Sequence, residues 1–242
     1  MNMRKPQLSV IVLCLNEATR LPLLLADLQR SRRQLEILIS DGGSSDGSPQ
    51  VAELSGAHVL SVHPPGRGRQ LAIAAGEARG DWLLFLHADS RLAPGWQAQV
   101  ASVLQSPGAQ DDGWYFDLHI EPSTWARCLL EQLVRLRSRW LQRPYGDQGL
   151  LIHRSLYQRC GGFKELPLME DLDLVERLSR ITRLRRIGAP ITTDGRRWDQ
   201  DGVLRRSWRN AVLRRRWKGG ASAEQLACDY GHDQLAYQKP QR

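Results

Sequence analysis

Apolar runs and amphipathic stretches alternate along the first third of the chain. The continuous apolar run at 8–15 is typical of a central strand that is covered on both faces. The leucines that follow recur at three- and four-residue spacing, which predicts a helix. Further strands are predicted at 35–40, 57–62 and 81–90, each preceded by a helical stretch. This order predicts an α/β fold with a mostly parallel central sheet between helices.

The second half of the chain has a less regular pattern. Strands are predicted at 113–120 and 149–153, with a long basic amphipathic helix at 125–142 between them. Another helix follows the acidic cluster that begins at Glu170. A last helix at 202–218 carries seven Lys or Arg residues and no acidic residue.

The chain has 242 residues, which fits one α/β domain with an additional helical element. We therefore expect a domain at 1–200, a basic C-terminal helix at 201–218 and a flexible tail at 219–242, where the sequence is polar and aperiodic. No apolar run approaches the roughly 18 residues of a membrane span. The run at 8–15 lacks a cleavage site, and the four cysteines show no metal-binding spacing, so we expect a cytoplasmic protein with reduced thiols.

Charge narrows the class of partner only in part. The formal net charge is +8, with a sequence pI near 9.8. Such a surface favours nucleotide phosphates, nucleic acid or an acidic membrane, and charge alone does not choose among them.

Polar or glycine-rich residues follow each of the first four predicted strands. In open parallel sheets the carboxyl ends of the strands form the ligand crevice, so these turns together predict a nucleotide site. The alternative is that polar residues simply form turns. The residues concerned are Asn16 and Glu17, Asp41 and Asp46, 66–70, and His87 with Asp89.

Two nucleotide-binding motifs are incomplete or missing. The string GRGRQL at 66–71 lacks the third glycine of the dinucleotide fingerprint and follows the third strand instead of the first. The Walker phosphate loop does not occur either. NAD-dependent and ATP-hydrolysing functions are therefore disfavoured.

Three strings, in their order and spacing, resemble the donor-binding half of family 2 glycosyltransferases, which have the GT-A fold. They are LSVIVLCLNEATRL, LEILISDGGSSDGS and GRGRQLAIAAGEARGDWLLFLHADSRL. The later string PYGDQGLLIHRSLYQRCGGFKELPLMEDLDLVERL resembles the acceptor half. The resemblance covers about 8–200 and implies a donor half at about 1–110 and an acceptor half at about 111–200. The HADS, PYGDQG and RRW strings are most similar to a small bacterial clade named for arsenosugar biosynthesis and for association with radical-SAM selenodomain proteins.

The resemblance implies roles for the residues at the strand ends. Donor or nucleotide binding falls to Glu17, Asp41, Asp46, Arg67, Gly68, Arg69 and His87. Asp89 matches the last carboxylate of the DxD element and implies Mg²⁺ or Mn²⁺ on the donor diphosphate, since a hard cation needs few protein ligands there. His87 replaces the first DxD carboxylate. It can donate to a ribose, ligate a softer metal such as Mn²⁺, or do neither.

The acidic cluster at 170–173 offers the catalytic base. Helical spacing puts Asp171 on the apolar side of its helix, which includes Leu174, and puts Asp173 on the solvated side. The resemblance points to Asp171 as well, with Glu170 as the alternative base or an acceptor contact. Without it, both carboxylates would equally be explained by the helix dipole.

Two further groups are assigned by resemblance. Asp147 and Gln148 match the lining of the sugar pocket, although turn formation explains the first of them as well. Arg196, Arg197 and Trp198 resemble a basic-aromatic motif near the diphosphate and acceptor; the alternative is surface charge beside a packed tryptophan.

The two basic helices complete the picture. Leucines and a tryptophan share one face of the first, and such a stripe is most often core; contact with an anionic membrane and homodimer formation stay open. We expect a UDP- or GDP-sugar donor, an acceptor that is not identified, and no nucleic acid. The rival functions are nucleotidyl transfer on a similar scaffold and non-catalytic RNA or membrane binding. The stripe consists of Leu129, Leu133, Leu136 and Trp140.

Overall fold

The computed structural model describes residues 6–29, 35–195 and 202–237. Within these ranges eight strands form one mixed sheet in the order β3-β2-β1-β4-β7-β6-β8-β5. The strands are β1 (Leu8–Cys14), β2 (Leu35–Asp41), β3 (His58–Ser61), β4 (Trp82–His87), β5 (Ser90–Leu92), β6 (Gly113–Glu121), β7 (Leu150–His153) and β8 (Leu184–Asp194).

Helices follow most of the strands in the described ranges. The half of the sheet from β3 to β4 is parallel, whereas β7 runs antiparallel to both β4 and β6. The predicted α/β fold is therefore confirmed. The helices are α1 (Leu21–Gln29), α2 (Ser48–Leu54), α3 (Arg67–Glu77), α4 (Trp96–Gln105), α5 (Trp125–Trp140), α6 (Arg154–Arg159), α7 (Glu170–Ile181), α8 (Val203–Lys218) and α9 (Ala223–Tyr237).

The core has one layer on each face of the sheet. In β1, Val10 and Val12 belong to the cluster that contains the buried leucines of α1. Ile11 points to the opposite face, where it joins Leu71 and Ala74 of α3. A strand buried on both faces favours apolar residues on both sides, which explains why Ser9 is the one polar residue of β1, where its hydroxyl donates to Glu36.

The link between β4 and β5 consists of Ala88 and Asp89 alone. Although these strands are consecutive in the chain, β7, β6 and β8 lie between them in the sheet. On its outer side β5 packs against α1, where Asp27 accepts hydrogen bonds from the Arg91 side chain at 2.7 Å and the Leu92 amide at 3.1 Å.

The predicted flexible tail is wrong over most of its length, because 223–237 form helix α9. The Ser222 hydroxyl accepts a hydrogen bond from the Gln225 amide at 3.2 Å and so caps the helix. Leu226 is fully buried, and Asp229 pairs with Arg216 of α8. A helix that attaches through so few apolar residues gives a weak periodic pattern. Residues 238–242 lie outside the described ranges.

Candidate functional site

A cleft of about 260 Å³ lies beyond the ends of β4 and β8, between the first turn of α7 and the helices α5, α8 and α9. It brings together six residues that the sequence assigned to the site, from four separate segments of the chain. They are Arg67, His87, Asp89, Asp147, Glu170 and Asp171.

Arg67, the first residue of α3, connects two walls of the cleft. Its Nε donates to Oε1 of Glu170 at 2.6 Å, and its Nη2 lies 3.2 Å from Nε2 of His87. An arginine only donates hydrogen bonds, so the His87 Nε2 atom is the acceptor and the hydrogen of the neutral ring sits on Nδ1. The lone pair that His87 would offer a metal from Nε2 is thus directed at Arg67.

Glu170 is a buried carboxylate at the first position of α7. Only 1% of its surface is exposed, and its Oε2 atom has no hydrogen-bond partner within the described ranges. Burial raises the pKa of Glu170, against the pull of Arg67. Burial by itself would lower the pKa of Arg67, but the carboxylates of Glu170 and Asp171 raise it. Arg67 and Glu170 thus form an ion pair in the wall of the cleft.

Asp171 is only partly buried and is held by backbone amides. Its Oδ2 accepts from the Gly146 amide at 2.8 Å, and its Oδ1 accepts from the Leu172 amide at 2.8 Å. A side chain at position 146 would crowd the site, since a Cβ there would lie 3.2 Å from Asp171 Oδ2 and 3.1 Å from His87 Nε2. Each carboxylate oxygen retains a second lone pair for another donor.

Asp89 follows β4 and is half-buried at the edge of the cleft. The described residues contain no group of three His, Cys, Asp or Glu side chains able to hold an ion. The metal-binding role of Asp89 stays a prediction.

The turn at 146–148 separates two neighbours that the sequence assigned to one pocket. Asp147 lines the cleft, and burial raises its pKa, against the pull of Arg137. Its Oδ1 atom is buried without a hydrogen-bond partner among the described residues. Gln148 instead turns inward, donates to the Phe116 carbonyl at 3.2 Å and accepts from Ser138 at 2.6 Å. Gln148, predicted to line the sugar pocket, does not line the cleft: its side chain joins α5 to β6.

The predicted glycine loop at 66–70 also differs from expectation, because α3 begins within it. Gly68 approaches protein backbone rather than an open cleft: its amide donates to the Leu166 carbonyl at 3.0 Å, and a Cβ would lie 2.0 Å from the Lys164 carbonyl oxygen. Arg69 is about 200° around the helix from Arg67 and lies 3.8 Å from Glu165, outside the cleft lining.

The ends of β1 and β2 form a second polar group beside the cleft. Asp41 is buried, and its Oδ2 accepts from the amides of Gly43 and Ser44 at 2.9 Å. Asp46 joins the two loops, accepting from the Ala18 amide at 2.9 Å and the Ser48 hydroxyl at 2.6 Å.

Asp41 and Asp46 both stabilise turns in the structure. The nucleotide contacts predicted for them and for the buried Glu17 stay predictions. Because β1 lies between β2 and β4, Asp41 is roughly 10 Å from the end of β4, counting about 4.8 Å per strand. The two groups thus lie at one edge of the sheet.

The sequence reasoning missed several polar and aromatic residues that line the cleft. The Cζ atoms of Arg137 and Arg214 both lie over the Tyr145 ring, 3.9 and 5.5 Å from its centroid. Arg206 donates to the Tyr230 hydroxyl at 3.4 Å. The signal was present in α8, where cleft residues recur at helical spacing, namely Arg206, Asn210, Leu213 and Arg214. Arg196, Arg197 and Trp198 lie outside the described residues.

Comparison with known proteins places this geometry in context. The profile described as "Glycosyl transferase family 2" matches residues 9–159. Among solved structures, S. aureus TarS 1–349 in complex with UDP-GlcNAc is similar with a TM-score of 0.64 and 17% identity, over 78% of this chain and 58% of that one. The mannosyltransferase PcManGT from Pyrobaculum calidifontis, in complex with GDP-Man and Mn²⁺, gives 0.60 and 18%, over 77% and 56%.

A third similar structure is glucosyl-3-phosphoglycerate synthase from Mycobacterium tuberculosis in complex with Mn²⁺, UDP-Glc and glycerol 3-phosphate. Its TM-score is 0.54 with 21% identity, over 76% of this chain and 71% of that one. The chain spans 36% of the TarS chain and 60% of the shorter TarS 1–349. At these identities the likeness concerns the fold.

Proposed function

The chain belongs to glycosyl transferase family 2, and from that premise we propose that it moves a sugar from a nucleoside diphosphate sugar to an acceptor hydroxyl with inversion at the anomeric carbon. The observation that carries the proposal is the meeting of Asp89, at the end of β4, with Asp171, at the start of α7, in one cleft. One carboxylate suits the donor side and the other suits the acceptor side.

The donor is a UDP- or GDP-linked sugar. TarS 1–349 and PcManGT, which share the fold, bind donors of these two kinds. In this chain, Asp41, Asp46 and Glu17 at the ends of β1 and β2 would contact the base and ribose. The cleft beside them would hold the diphosphate and sugar, with Asp147 near the sugar hydroxyls.

Asp89 would hold Mg²⁺ or Mn²⁺ together with the donor phosphates. When bound, the ion supplies positive charge that stabilises the leaving diphosphate. His87 does not belong to this ligand set in the proposal, because its Nε2 faces Arg67, and it serves to orient that guanidinium.

Asp171 acts as the general base. Its carboxylate accepts the proton of the acceptor hydroxyl while that oxygen attacks the anomeric carbon, and the bond from this carbon to the diphosphate oxygen breaks. The two backbone amides fix the carboxylate for this step. Glu170 is less suited to the role, because it is buried and paired with Arg67.

Arginines on two walls oppose the charge that grows on the leaving diphosphate. Arg67 lies beside Asp171, and Arg206 and Arg214 of α8 line the far wall. Preorganised cations stabilise such charge more than mobile solvent does. Arg197 would add to this set through the predicted basic-aromatic motif.

A paired substitution tests the base. We expect Asp171→Asn to lower kcat for transfer by at least about 100-fold, the scale of general base catalysis, with donor affinity nearly unchanged. Asp173→Asn is the matched control, since Asp173 is on the same helix but pairs with Lys164 and Arg177. Full activity in the Asp171 variant would remove the assignment.

Product analysis and donor binding test the function itself. Release of a nucleoside diphosphate supports glycosyl transfer, whereas release of pyrophosphate would indicate nucleotidyl transfer. UDP- and GDP-sugars can be screened by thermal shift, with and without Mn²⁺. The true donor should raise the melting temperature of the protein, because a ligand that binds only the folded state stabilises that state. The narrower likeness to the arsenosugar clade, and the donor and acceptor halves, stay predictions.

A further inference from the structure

The outer face of α5 exposes five large apolar side chains. They recur every three or four residues, so they form one stripe along the helix. Their exposed fractions run from 53% to 81%, and the sequence expectation that such a stripe is core is wrong here. The α5 stripe consists of Trp125, Leu129, Leu133, Leu136 and Trp140.

The helix attaches to the domain by its opposite, smaller face. Val134 packs with Leu118 and Ile120 of β6, and Arg127 is buried and donates to the Gly195 carbonyl at 3.1 Å. The more apolar face of α5, the α5 stripe, therefore points outward, although its burial would stabilise the protein more than burial of the opposite face. A contiguous apolar surface of this kind marks an interaction site, whereas single exposed leucines do not.

Charge along the same face is entirely positive. Arg135 and Arg139 are exposed beside the stripe. The one carboxylate of α5, Glu131, is directed inward, where it accepts from the Ile120 amide at 2.8 Å. These three features match an anionic lipid surface. The apolar stripe suits the acyl region, the arginines beside it suit the anionic headgroups, and the tryptophan at each end suits the interface.

Charge also opposes a second copy of the chain as the occupant. In a symmetric dimer the same patch faces itself, so the arginines of one copy would approach those of the other. The net charge of +8 on each chain adds to this repulsion. Among the described helices none is long and apolar enough to cross a bilayer.

We propose that α5 lies in the interfacial layer of an anionic membrane, with the α5 stripe inserted among the acyl chains and Arg135 and Arg139 at the headgroups. Its 16 residues would extend about 24 Å along the surface. The inner side of the same helix lines the cleft with Leu130, Val134 and Arg137, so the cleft would open close to the lipid.

Vesicle flotation of the full chain tests this directly, without any nucleotide sugar, so the result is independent of the proposed transferase activity. We expect binding to phosphatidylcholine vesicles that contain phosphatidylglycerol, and much weaker binding to phosphatidylcholine alone. The double variant Leu133→Ser, Leu136→Ser should weaken binding to the anionic vesicles by at least about tenfold. Arg135→Gln with Arg139→Gln should weaken it by roughly thirtyfold and reduce its salt dependence.

Leu54→Ser is the matched control, because Leu54 is 90% exposed on α2 and stands alone. It should bind vesicles like the parent chain, and all variants should keep the parent melting temperature. Equal binding by the leucine double variant and the parent would overturn the proposal. So would a dimer in sedimentation that the double variant dissolves, with no vesicle binding by either protein, because the α5 stripe would then belong to a second copy.

Discussion

Two glycines of the same helix have opposite surroundings. A Cβ at Gly68 would collide with backbone atoms of 164–166, whereas a Cβ at Gly76 would meet nothing within 4 Å. We expect Gly68→Ala to lower the free energy of unfolding by more than about 2 kcal/mol, through a clash that no side chain can relieve. Gly76→Ala should raise it by about 0.5–1 kcal/mol through helix propensity.

Urea unfolding of both alanine variants checks this pair. The order of stabilities, Gly76→Ala above the parent and Gly68→Ala below it, is the result to look for. If Gly68→Ala were as stable as the parent, the loop at 164–166 would not pack on α3 as described.

Single residues also show which side chains the sequence can bring together. The residues predicted from strand ends and from the first turn of α7, such as Asp89 and Asp171, do share the cleft. Strand ends of a parallel sheet converge whatever the details of packing. Arg69 and Gln148 do not line the cleft although their neighbours Arg67 and Asp147 do, because one or two steps along a helix or tight turn redirect a side chain completely.

Helix α9 contributes to the site although it lies far from the strand ends in the chain. Tyr230 lines the cleft and accepts from Arg206 of α8. We expect Tyr230→Ala to change KM or kcat for transfer by several-fold, since it removes one wall and one hydrogen-bond acceptor of Arg206. The neighbouring Asp229→Ala removes only an exposed ion pair with Arg216 and should leave both constants within about twofold.

Steady-state kinetics of the two variants decide whether α9 belongs to the site. Identical kinetics for both would mean that the helix is merely attached to the surface. The parent and Tyr230→Ala should have similar circular dichroism spectra, since the side chain is not fully buried.

The strands and helices differ in how well the sequence predicts them. The strands β1, β2 and β4 are predicted well, because local hydrophobic pattern and burial agree. Helix α9 was missed although Ser222 and Gln225 have the spacing of a capping box. Helix α5 was found, but the side that packs was not. Pattern shows that a face is apolar and does not say what covers it.

Stability of the whole domain should depend on Glu36, which connects three segments of the chain. Its carboxylate accepts from the Ser9 hydroxyl and from the Arg79 amide at 2.7 Å and side chain. Burial alone would raise the pKa of Glu36, but the hydrogen bonds from Arg79 and Ser9 hold it below the ordinary value of 4.5.

The sign of the effect follows from linkage. Because the folded state binds this proton more weakly than the unfolded state, the stabilisation is complete above the ordinary pKa and is lost as the pH falls through the lowered one. We expect Glu36→Gln to lower the free energy of unfolding by about 1–3 kcal/mol at neutral pH. That deficit should shrink below about pH 4.5. Urea titrations of both proteins across this range measure it, and a constant deficit would contradict the linkage.

The order of strands explains why the remaining topology could not be predicted. The pairings β1-β2 and β2-β3 join strands that the chain connects through single helices, and β4 then pairs on the other side of β1. By contrast, β6 and β8 pair over 113–121 and 184–194, and β5 joins only the far edge of β8. Those choices depend on long-range packing that no local pattern records.

The short link after β4 has a geometric consequence for the sheet. Three Cα–Cα steps from His87 to Ser90 reach at most about 11 Å, yet four strand spacings in a flat sheet would separate β4 from β5 by about 19 Å. The sheet must therefore curl strongly enough to bring β5, its last strand, close to the end of β4. Asp89 lies in the short link that joins these two strands. Lengthening the link by one residue would allow β5 to move away from the end of β4 and would widen the cleft, even with every lining side chain retained.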